Sequence, residues 1–351
     1  MNRIIVRIAG LVVVGAIIVI LVLVARRREP ASGKLLVQII GGKPGAWNLK
    51  ERMDGFTEGV QGTDIELAKV QYNQENSEIA RQVAEAALTA NPNLRGFFGS
   101  NAFAGPGAAL AVKGAGKKRG EVHVVAFDTT DDILDLIAEG YIDCTLAQNT
   151  REMGRLSVEK LLEFARQYRQ NKSFDRPPKG KDVIDTGVTI VWPKDVPKYR
   201  AKAAKPKEGA EPTPPETGKG GKKMRFALVP KSIGHPYWEG VRKGMEETAE
   251  RLGVEAKFWG PPEASVDKQI TIIETLISQG YDGIAISPND PESVKKVIKE
   301  AMDKGTAVVT FDSDSPDSDR LLYIGTDNRE GGRVGAKAMI KILGAKKQSS
   351  K

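Results

Sequence analysis

A single cysteine in 351 residues, Cys144, excludes an internal disulfide. Histidine is almost as scarce: His123 and His235 are the only two, and without a paired-His motif they leave little material for a metal site or a nucleophile–base pair. His123 lies inside a strand-like run and reads as structural. No G-x-G-x-x-G follows a candidate first strand, since neither "GGKPGAW" nor "VPKSIGHPYW" supplies it. "GGKPG" also lacks the lysine-then-hydroxyl ending of a phosphate-binding loop. These absences argue against an enzyme and against a resident cofactor or metal. Aromatics make up only 6% of the chain, but 40% hydrophobic residues over this length allow two ordinary domains with real cores.

The charge excess is misleading at first sight. The net charge is +8, yet residues 1–32 carry +4, residues 200–224 another +4, and the tail after Gly344 adds +3. What remains for the foldable segments is about −3, so no basic face suited to nucleic acid is expected. Long apolar runs are also rare, with one exception near the amino terminus. "IAGLVVVGAIIVILVLVA" (8–25) is uncharged and close to the length that spans a bilayer as a helix. A signal peptide would have to be cleaved before "RRREP", a poor processing context, so residues 4–25 read as an uncleaved anchor. Arg3 and Arg7 face Arg26, Arg27 and Arg28 across the run, which nearly balances the positive-inside signal.

Beyond that run, strand-like and helix-like patterns alternate in two series. The first holds "KLLVQIIGG" (34–42), "ELAKVQY" (66–72), "GFFGS" (96–100), "VHVVAFD" (122–128) and "CTLAQ" (144–148); the second holds "RFALVP" (225–230), "VEAKFWG" (254–260), "GIAIS" (283–287), "AVVTFD" (307–312) and "LLYIG" (321–325). Helical periodicity separates them, as with Val241, Met245, Thr248 and Leu252, or Ala336, Met339, Ile340 and Leu343. Such alternation implies an α/β fold of two doubly wound parallel-sheet lobes. Residues 199–224, rich in Pro, Gly, Ala, Lys and Glu without an apolar face, read as a flexible linker.

"VVAFD" and "VVTFD" place Asp128 and Asp312 at the carboxyl end of the fourth strand in each series, the edge where open parallel sheets bind ligands. One such aspartate could simply cap the next segment of chain; the same aspartate twice at equivalent positions argues for a site between facing lobes. Lys231, His235, Tyr237 and Trp238 lie in or just after the loop "PKSIGHPYWEG", and aromatics there can stack on the apolar face of a sugar ring. For Trp238 a hydrophobic staple onto its helix is an open alternative. Asn48 and Arg52 open a helix, Asn101 follows "GFFGS", and Gln148 ends "CTLAQ". Asp, Arg, Asn, Gln and Lys with aromatics supply the donors and acceptors that vicinal hydroxyls need.

"VPKSIGHPYWEGVRKG", "WGPPEASVDKQI", "QGYDGIAISPNDPESV", "VVTFDSDSPDS" and "YIGTDNREGG" resemble the first half of a type I periplasmic solute-binding protein of the ribose/galactose-like sugar-binding family. "KLLVQIIGG", "NLKERMDGF", "FFGSNAFAGPGAALAV", "VVAFDTTDDILDLIAEG" and "TLAQNTREMG" resemble its second half. The halves stand in reverse order, so the resemblance implies a circular permutation in which residues 199–224 join the family's usual ends. The implied organisation is an anchor (4–25), a second-half lobe (33–148, completed by 183–192 and 326–344), a crossover helix on the other lobe (149–170), the linker (199–224) and a first-half lobe (225–325).

The family's ligand contacts map onto Lys231, His235, Tyr237, Trp238 and Asp312 from one lobe, onto Arg52, Asn101 and Asp128 from the other, and onto Gln148 at a hinge crossing, with Glu75 a weaker match. Ser313 stands where ribose-binding members carry an arginine, and Lys231 resembles instead the rhamnose and autoinducer-binding branch. The resemblance implies a monomer, held at the membrane on its extracytoplasmic side, that closes on a sugar and delivers it to an ABC transporter permease. The alternative is a tethered sensory module presenting sugar or autoinducer to a receptor. A repressor of the same fold would need a helix-turn-helix where the apolar run stands.

Overall fold

Why the chain makes two sheets rather than one follows from its crossovers. Most strands are fed by a helix that must lie back across a sheet, and strands so connected pair in parallel. A computed structural model describes residues 33–204 and 223–347. The first sheet is built from β1 (Leu35–Gly41), β2 (Ile65–Leu67), β3 (Gln71–Tyr72), β4 (Leu94–Gly99), β5 (His123–Phe127), β6 (Cys144–Gln148) and β8 (Val188–Val191). Their order is β2-β1-β4-β5-β6-β8, with β3 also on β1, and every pairing is parallel except the antiparallel β6–β8. The second sheet holds β9 (Arg225–Val229), β10 (Glu255–Phe258), β11 (Gly283–Ile286), β12 (Ala307–Phe311), β13 (Tyr323–Gly325) and β7 (Val183–Asp185), ordered β10-β9-β11-β12-β13-β7 and parallel throughout.

Helices α1 (Trp47–Val60), α2 (Ser77–Ala90), α3 (Ala104–Gly114) and α4 (Asp131–Glu139) follow strands of the first sheet, while α7 (Tyr237–Leu252), α8 (Val266–Ser278) and α9 (Lys295–Asp303) follow strands of the second. Two helices change sides. α5 (Thr150–Asn171) leaves β6 and packs on α7 and the second sheet, and α10 (Asn328–Leu343) leaves β13 and packs on α1 and the first sheet. Both packings are backbone-close. A Cβ on Gly55 would meet the Arg329 carbonyl oxygen at 2.0 Å and one on Gly332 the Arg52 oxygen at 2.1 Å; Gly244 and Gly154 meet the oxygens of Arg151 and Val241 at 2.0 Å. The second lobe has one apolar core around Phe226, Ile286, Val309 and Phe311, and the first sheet carries one on each face.

Two boundaries differ from expectation. Val183–Asp185, grouped with 183–192 in the first lobe, joins the second sheet as β7, and the chain returns to the first only after Gly187. Gly187 has φ +78°, a turn conformation that a side chain disfavours. Residues 199–204, assigned to the flexible linker, are the end of helix α6 (Val196–Ala204), a run of good helix formers anchored by buried Val196 and half-buried Tyr199. The expected anchor 4–25 and the rest of the linker from 205 to 222 lie outside the described residues. Among the described residues no helix is long and apolar enough to cross a membrane.

Candidate functional site

The carboxyl ends of both sheets point at each other, and the chain crosses between them at 148–150, 185–188 and 325–328. The crossings touch. Thr326 Oγ1 donates to Gln148 Oε1 (2.9 Å), and the backbone N–H groups of Gly187 and Asp327 both donate to Asp185 Oδ1 (2.8 and 2.9 Å).

Asp128 and Asp312 occupy matching positions on the two edges. Each backbone N–H donates to the strand beyond, Asp128 to the Leu146 oxygen (2.8 Å) and Asp312 to the Ile324 oxygen (3.1 Å). Both hold positive φ, +76° and +60°, a conformation costing a non-glycine residue on the order of 1 kcal/mol. The same strain is thus kept twice, at equivalent buried positions. Asp312 accepts hydrogen bonds from Tyr237 Oη (2.7 Å) and Ser287 Oγ (2.9 Å), with Lys231 Nζ 3.9 Å away. Asp128 accepts from Gln148 Nε2 (2.7 Å). Burial raises the Asp128 pKa and the Asp312 charge adds to it, while Arg52 and the Gln148 bond pull the other way. The Tyr237 hydroxyl is pushed well above its ordinary pKa, first by burial and then by Asp312 and Asp128, so it donates as a neutral phenol.

Arg52 is 2% exposed. Its Nε donates to Asn328 Oδ1 (2.8 Å), its Nη1 to the Ser100 carbonyl oxygen (3.0 Å), and its guanidinium lies 3.9 Å over the Phe127 ring. Nη2 has no partner, and the neighbouring Ser100 Oγ has none either. A buried guanidinium with a spare donor is costly in isolation and suits an incoming acceptor.

Direct contacts link the lobes. Lys231 Nζ donates to Asn48 Oδ1 (2.9 Å), and the rings of His235 and Phe103 meet edge-on at 4.6 Å. The cleft is therefore closed. His235 Nδ1 accepts from the Tyr237 N–H (3.1 Å), and burial holds the imidazole pKa below its ordinary value against the pull of Asp128, Glu75 and Asp132.

Lys231, Tyr237, Asp312, Asn48, Arg52, Asp128 and Gln148 thus converge, with His235 at the rim. Two candidates are placed otherwise. Trp238 is buried in the second lobe's core, edge-on to Phe311 at 6.0 Å, because the neighbouring helix position, Tyr237, takes the cleft side. Asn101 is buried nearby, but its Oδ1 is engaged by Asn73 Nδ2 (2.9 Å) and the Ala104 N–H (3.1 Å). Sequence reasoning missed Ser287, Asn328, Tyr323 and Phe127. Only Asn328 carried a signal, inside "GTDN".

The family model described as "Periplasmic binding protein domain" matches residues 23–167 and 226–350. The D-allose-binding periplasmic protein of Escherichia coli (strain K12) is 32% identical over 129 residues, 34% of this chain and 41% of that protein. A ribose import binding protein of Bacillus subtilis (strain 168) is 27% identical over 123 residues, 35% and 40% of the two chains. The alignments thus span about two fifths of these curated relatives' length. Two solved structures share the fold over most of the chain. One is a carbohydrate transporter solute-binding protein from Agrobacterium radiobacter in complex with D-arabinose (TM-score 0.55, 13% identity, 90% of both chains). The other is an ABC transporter solute-binding protein from Clostridium phytofermentas with bound L-rhamnose (TM-score 0.56, 9% identity, 90% of this chain and 83% of that one). With two facing parallel-sheet lobes, three crossings, and a match over most of its length, this chain belongs to the family of type I periplasmic binding proteins.

Proposed function

We propose that this protein captures a neutral sugar or polyol between its lobes and hands it to an ABC transporter permease, as a monomer held at the outer face of the membrane by residues 4–25. One observation carries the reading: Asp128 and Asp312, both in strained backbone and one from each lobe, share a closed cleft with Arg52, whose Nη2 lacks a protein partner. Two carboxylates and two cations, Arg52 and Lys231, balance in charge, which suits an uncharged polyhydroxyl better than an anion. Lys231, Tyr237, Asn48, Gln148 and Ser287 complete the ligand set, with His235 and Asn101 at its margin. A ligand touching both lobes binds the closed state better than the open one and so drives closure. Both curated relatives are named as binding proteins, which agrees with a non-enzymatic role.

The circular permutation belongs to the same reading. The Asp64 N–H donates to the Lys346 oxygen (3.0 Å), the Lys346 N–H donates to the Asp64 side-chain Oδ1 (2.9 Å), and the Leu35 N–H donates to the Asp64 backbone oxygen (2.9 Å). The end of α10 and the start of β1 therefore meet at one turn, as in an ordinary helix-to-strand connection of 2–6 residues. Alignments limited to about a third of this chain fit a junction that a collinear match cannot cross. On this reading the second-half lobe is the first sheet with α10, and the first-half lobe is the second sheet with α5.

A thermal-shift panel on the full chain in detergent tests the capture. D-allose, D-ribose, D-xylose, D-arabinose, L-rhamnose and myo-inositol are the first probes, and a ligand at 100 times its dissociation constant adds roughly 2.7 kcal/mol of stability. A flat response to these and to a wider set of pentoses, hexoses and deoxyhexoses would contradict the reading.

A further inference from the structure

Among the described residues a hydrogen-bonded chain joins the cleft residue Arg52 of one lobe to Asp312 of the other without passing through the cleft. Arg52 Nε donates to Asn328 Oδ1 (2.8 Å); Asn328 Nδ2 donates to Tyr323 Oη (3.1 Å); Tyr323 Oη lies 3.0 Å from the Asp312 carbonyl oxygen and 3.1 Å from that of Thr326. Arg52 belongs to α1 on the first sheet, and Asn328 is the first residue of α10, which packs on α1. Tyr323 belongs to β13 of the second sheet, and Asp312 directly follows β12. The Asn328–Tyr323 bond therefore spans the crossing at 325–328, where backbone rotation would open the cleft.

All members are buried, with Asn328 1% and Tyr323 2% exposed, and burial drives the Tyr323 hydroxyl well above its ordinary pKa, so it stays protonated. In such surroundings a broken link leaves a polar group unsatisfied and weakens its neighbours as well. Arg52 depends on the chain for its aim: Asn328 and the Ser100 oxygen are its two hydrogen-bond acceptors, and the remaining nitrogen, Nη2, is free for a ligand. The first lobe handles its own aspartate differently. Thr145 Oγ1 donates to the Asp128 oxygen (2.7 Å) from the position in β6 that Tyr323 holds in β13, and a threonine is too short to reach across a crossing.

We propose that Tyr323 and Asn328 form a hinge-spanning relay that holds Arg52 in register with Asp312 when the lobes are closed, so that two positioning residues set how firmly the cleft shuts. The affinity consequence rests on the capture reading above; the effect on closure does not. In the relay Asn328 needs both of its ends, an acceptor for Arg52 and a partner for Tyr323. A carboxylate in its place still accepts from Arg52 and also from the Tyr323 hydroxyl, so Asn328→Asp keeps both links across the crossing, while the single phenolic proton turns away from the Asp312 and Thr326 carbonyl oxygens. Asn328→Ala keeps neither, and Tyr323→Phe keeps only the first.

The test measures closure and affinity in the same full-length variants. Cysteines introduced at the exposed positions Lys43 and Glu263, one on each side of the cleft, carry spin labels, and the native Cys144 is buried and out of reach. Without any sugar, Tyr323→Phe and Asn328→Ala should shift the label-to-label distribution to longer separations, the double variant should match either single one, and Asn328→Asp, which keeps the bond across the crossing, should fall between Asn328→Ala and the parent. For whichever of the six probe sugars binds, each single variant should bind about tenfold more weakly, through faster dissociation at unchanged association. The double variant should also lose about tenfold, because the two residues act as one unit. Parental distance distributions in both single variants would overturn the relay, and so would affinity losses that multiply to about a hundredfold. If Tyr323→Phe does not fold, Asn328→Ala against Asn328→Asp decides the same question. If no probe sugar binds, the distances alone judge the relay and the capture reading fails separately.

Discussion

The two lobes share the packing of their helix pairs and differ in what they place beneath the cleft. Position by position, Gly55 in α1 corresponds to Gly244 in α7 and Gly332 in α10 to Gly154 in α5, each glycine admitting a carbonyl oxygen of the partner helix. Their flanking ion pairs correspond too: Arg329 with Glu58 (3.0 Å) on one side, Arg151 with Glu247 (2.8 Å) on the other. Yet the same register sets Arg52 opposite Val241. Over Phe127 the first lobe stacks a guanidinium, while over Phe311 the second packs the indole of Trp238. A shared frame with unshared contents teaches that the helix-pair packing is what the fold requires, and that Arg52, which has no counterpart in the other lobe, answers to something else.

The largest effects should come from the shared frame. Gly55→Val and Gly244→Val each force a side chain against a backbone oxygen 2.0 Å from the new Cβ, and each should cost about 3 kcal/mol or more in urea unfolding. Equal losses would uphold the correspondence; a loss in one lobe only would break it. Next comes the unshared pair. Arg52→Ala should weaken ligand binding about a hundredfold, roughly 3 kcal/mol, whereas Val241→Ala should cost about 2 kcal/mol of stability and leave affinity near the parent's. Similar affinity losses from both would erase the distinction between ligand residue and core residue.

The aspartates sharpen the contrast further. Both Asp312 oxygens accept from hydroxyls of Tyr237 and Ser287, so Asp312→Asn turns an amide donor toward a donor and should lower ligand-free stability by roughly 1–2 kcal/mol. Asp128→Asn removes a charge that burial disfavours and keeps an oxygen for Gln148, so it should raise ligand-free stability while weakening binding. Melting temperatures moving in the same direction would contradict this. The smallest effect is its pH dependence. Because the folded-state pKa of Asp128 is raised, the native state binds more protons than the unfolded one between the ordinary value of 3.8 and the raised one. The stability this contributes is present below 3.8 and lost as pH rises through the raised value. The gain from Asp128→Asn should therefore be smallest below pH 3.8 and grow as pH rises above it, and a gain independent of pH would assign it to packing.

Much of this is legible in the order of residues alone. Alternating strand and helix patterns require parallel sheets, and the repeated "VVAFD" and "VVTFD" locate both cleft aspartates because a strand's carboxyl end is fixed by its own pattern. The hidden part depends on smaller differences. Trp238 and Tyr237 are adjacent, and a single step of about 100° around α7 decides which enters the core. Three-residue β7 chooses its sheet through the turn at Gly187, a decision no periodicity records. Ser287 meets Asp312 and Asn328 meets Arg52, partners 25 and 276 residues away, and pairings of that kind follow from topology rather than from any local pattern.

The central claim is that one sugar is held by both lobes at once. Calorimetric titration of the best probe sugar into the parent, Asp128→Ala and Asp312→Ala proteins tests it most directly. We expect one-to-one binding in the parent with a negative heat-capacity change, and a loss of about ten- to a hundredfold in each variant, one from each lobe. Parental affinity in both variants would place the ligand outside this cleft and contradict the account.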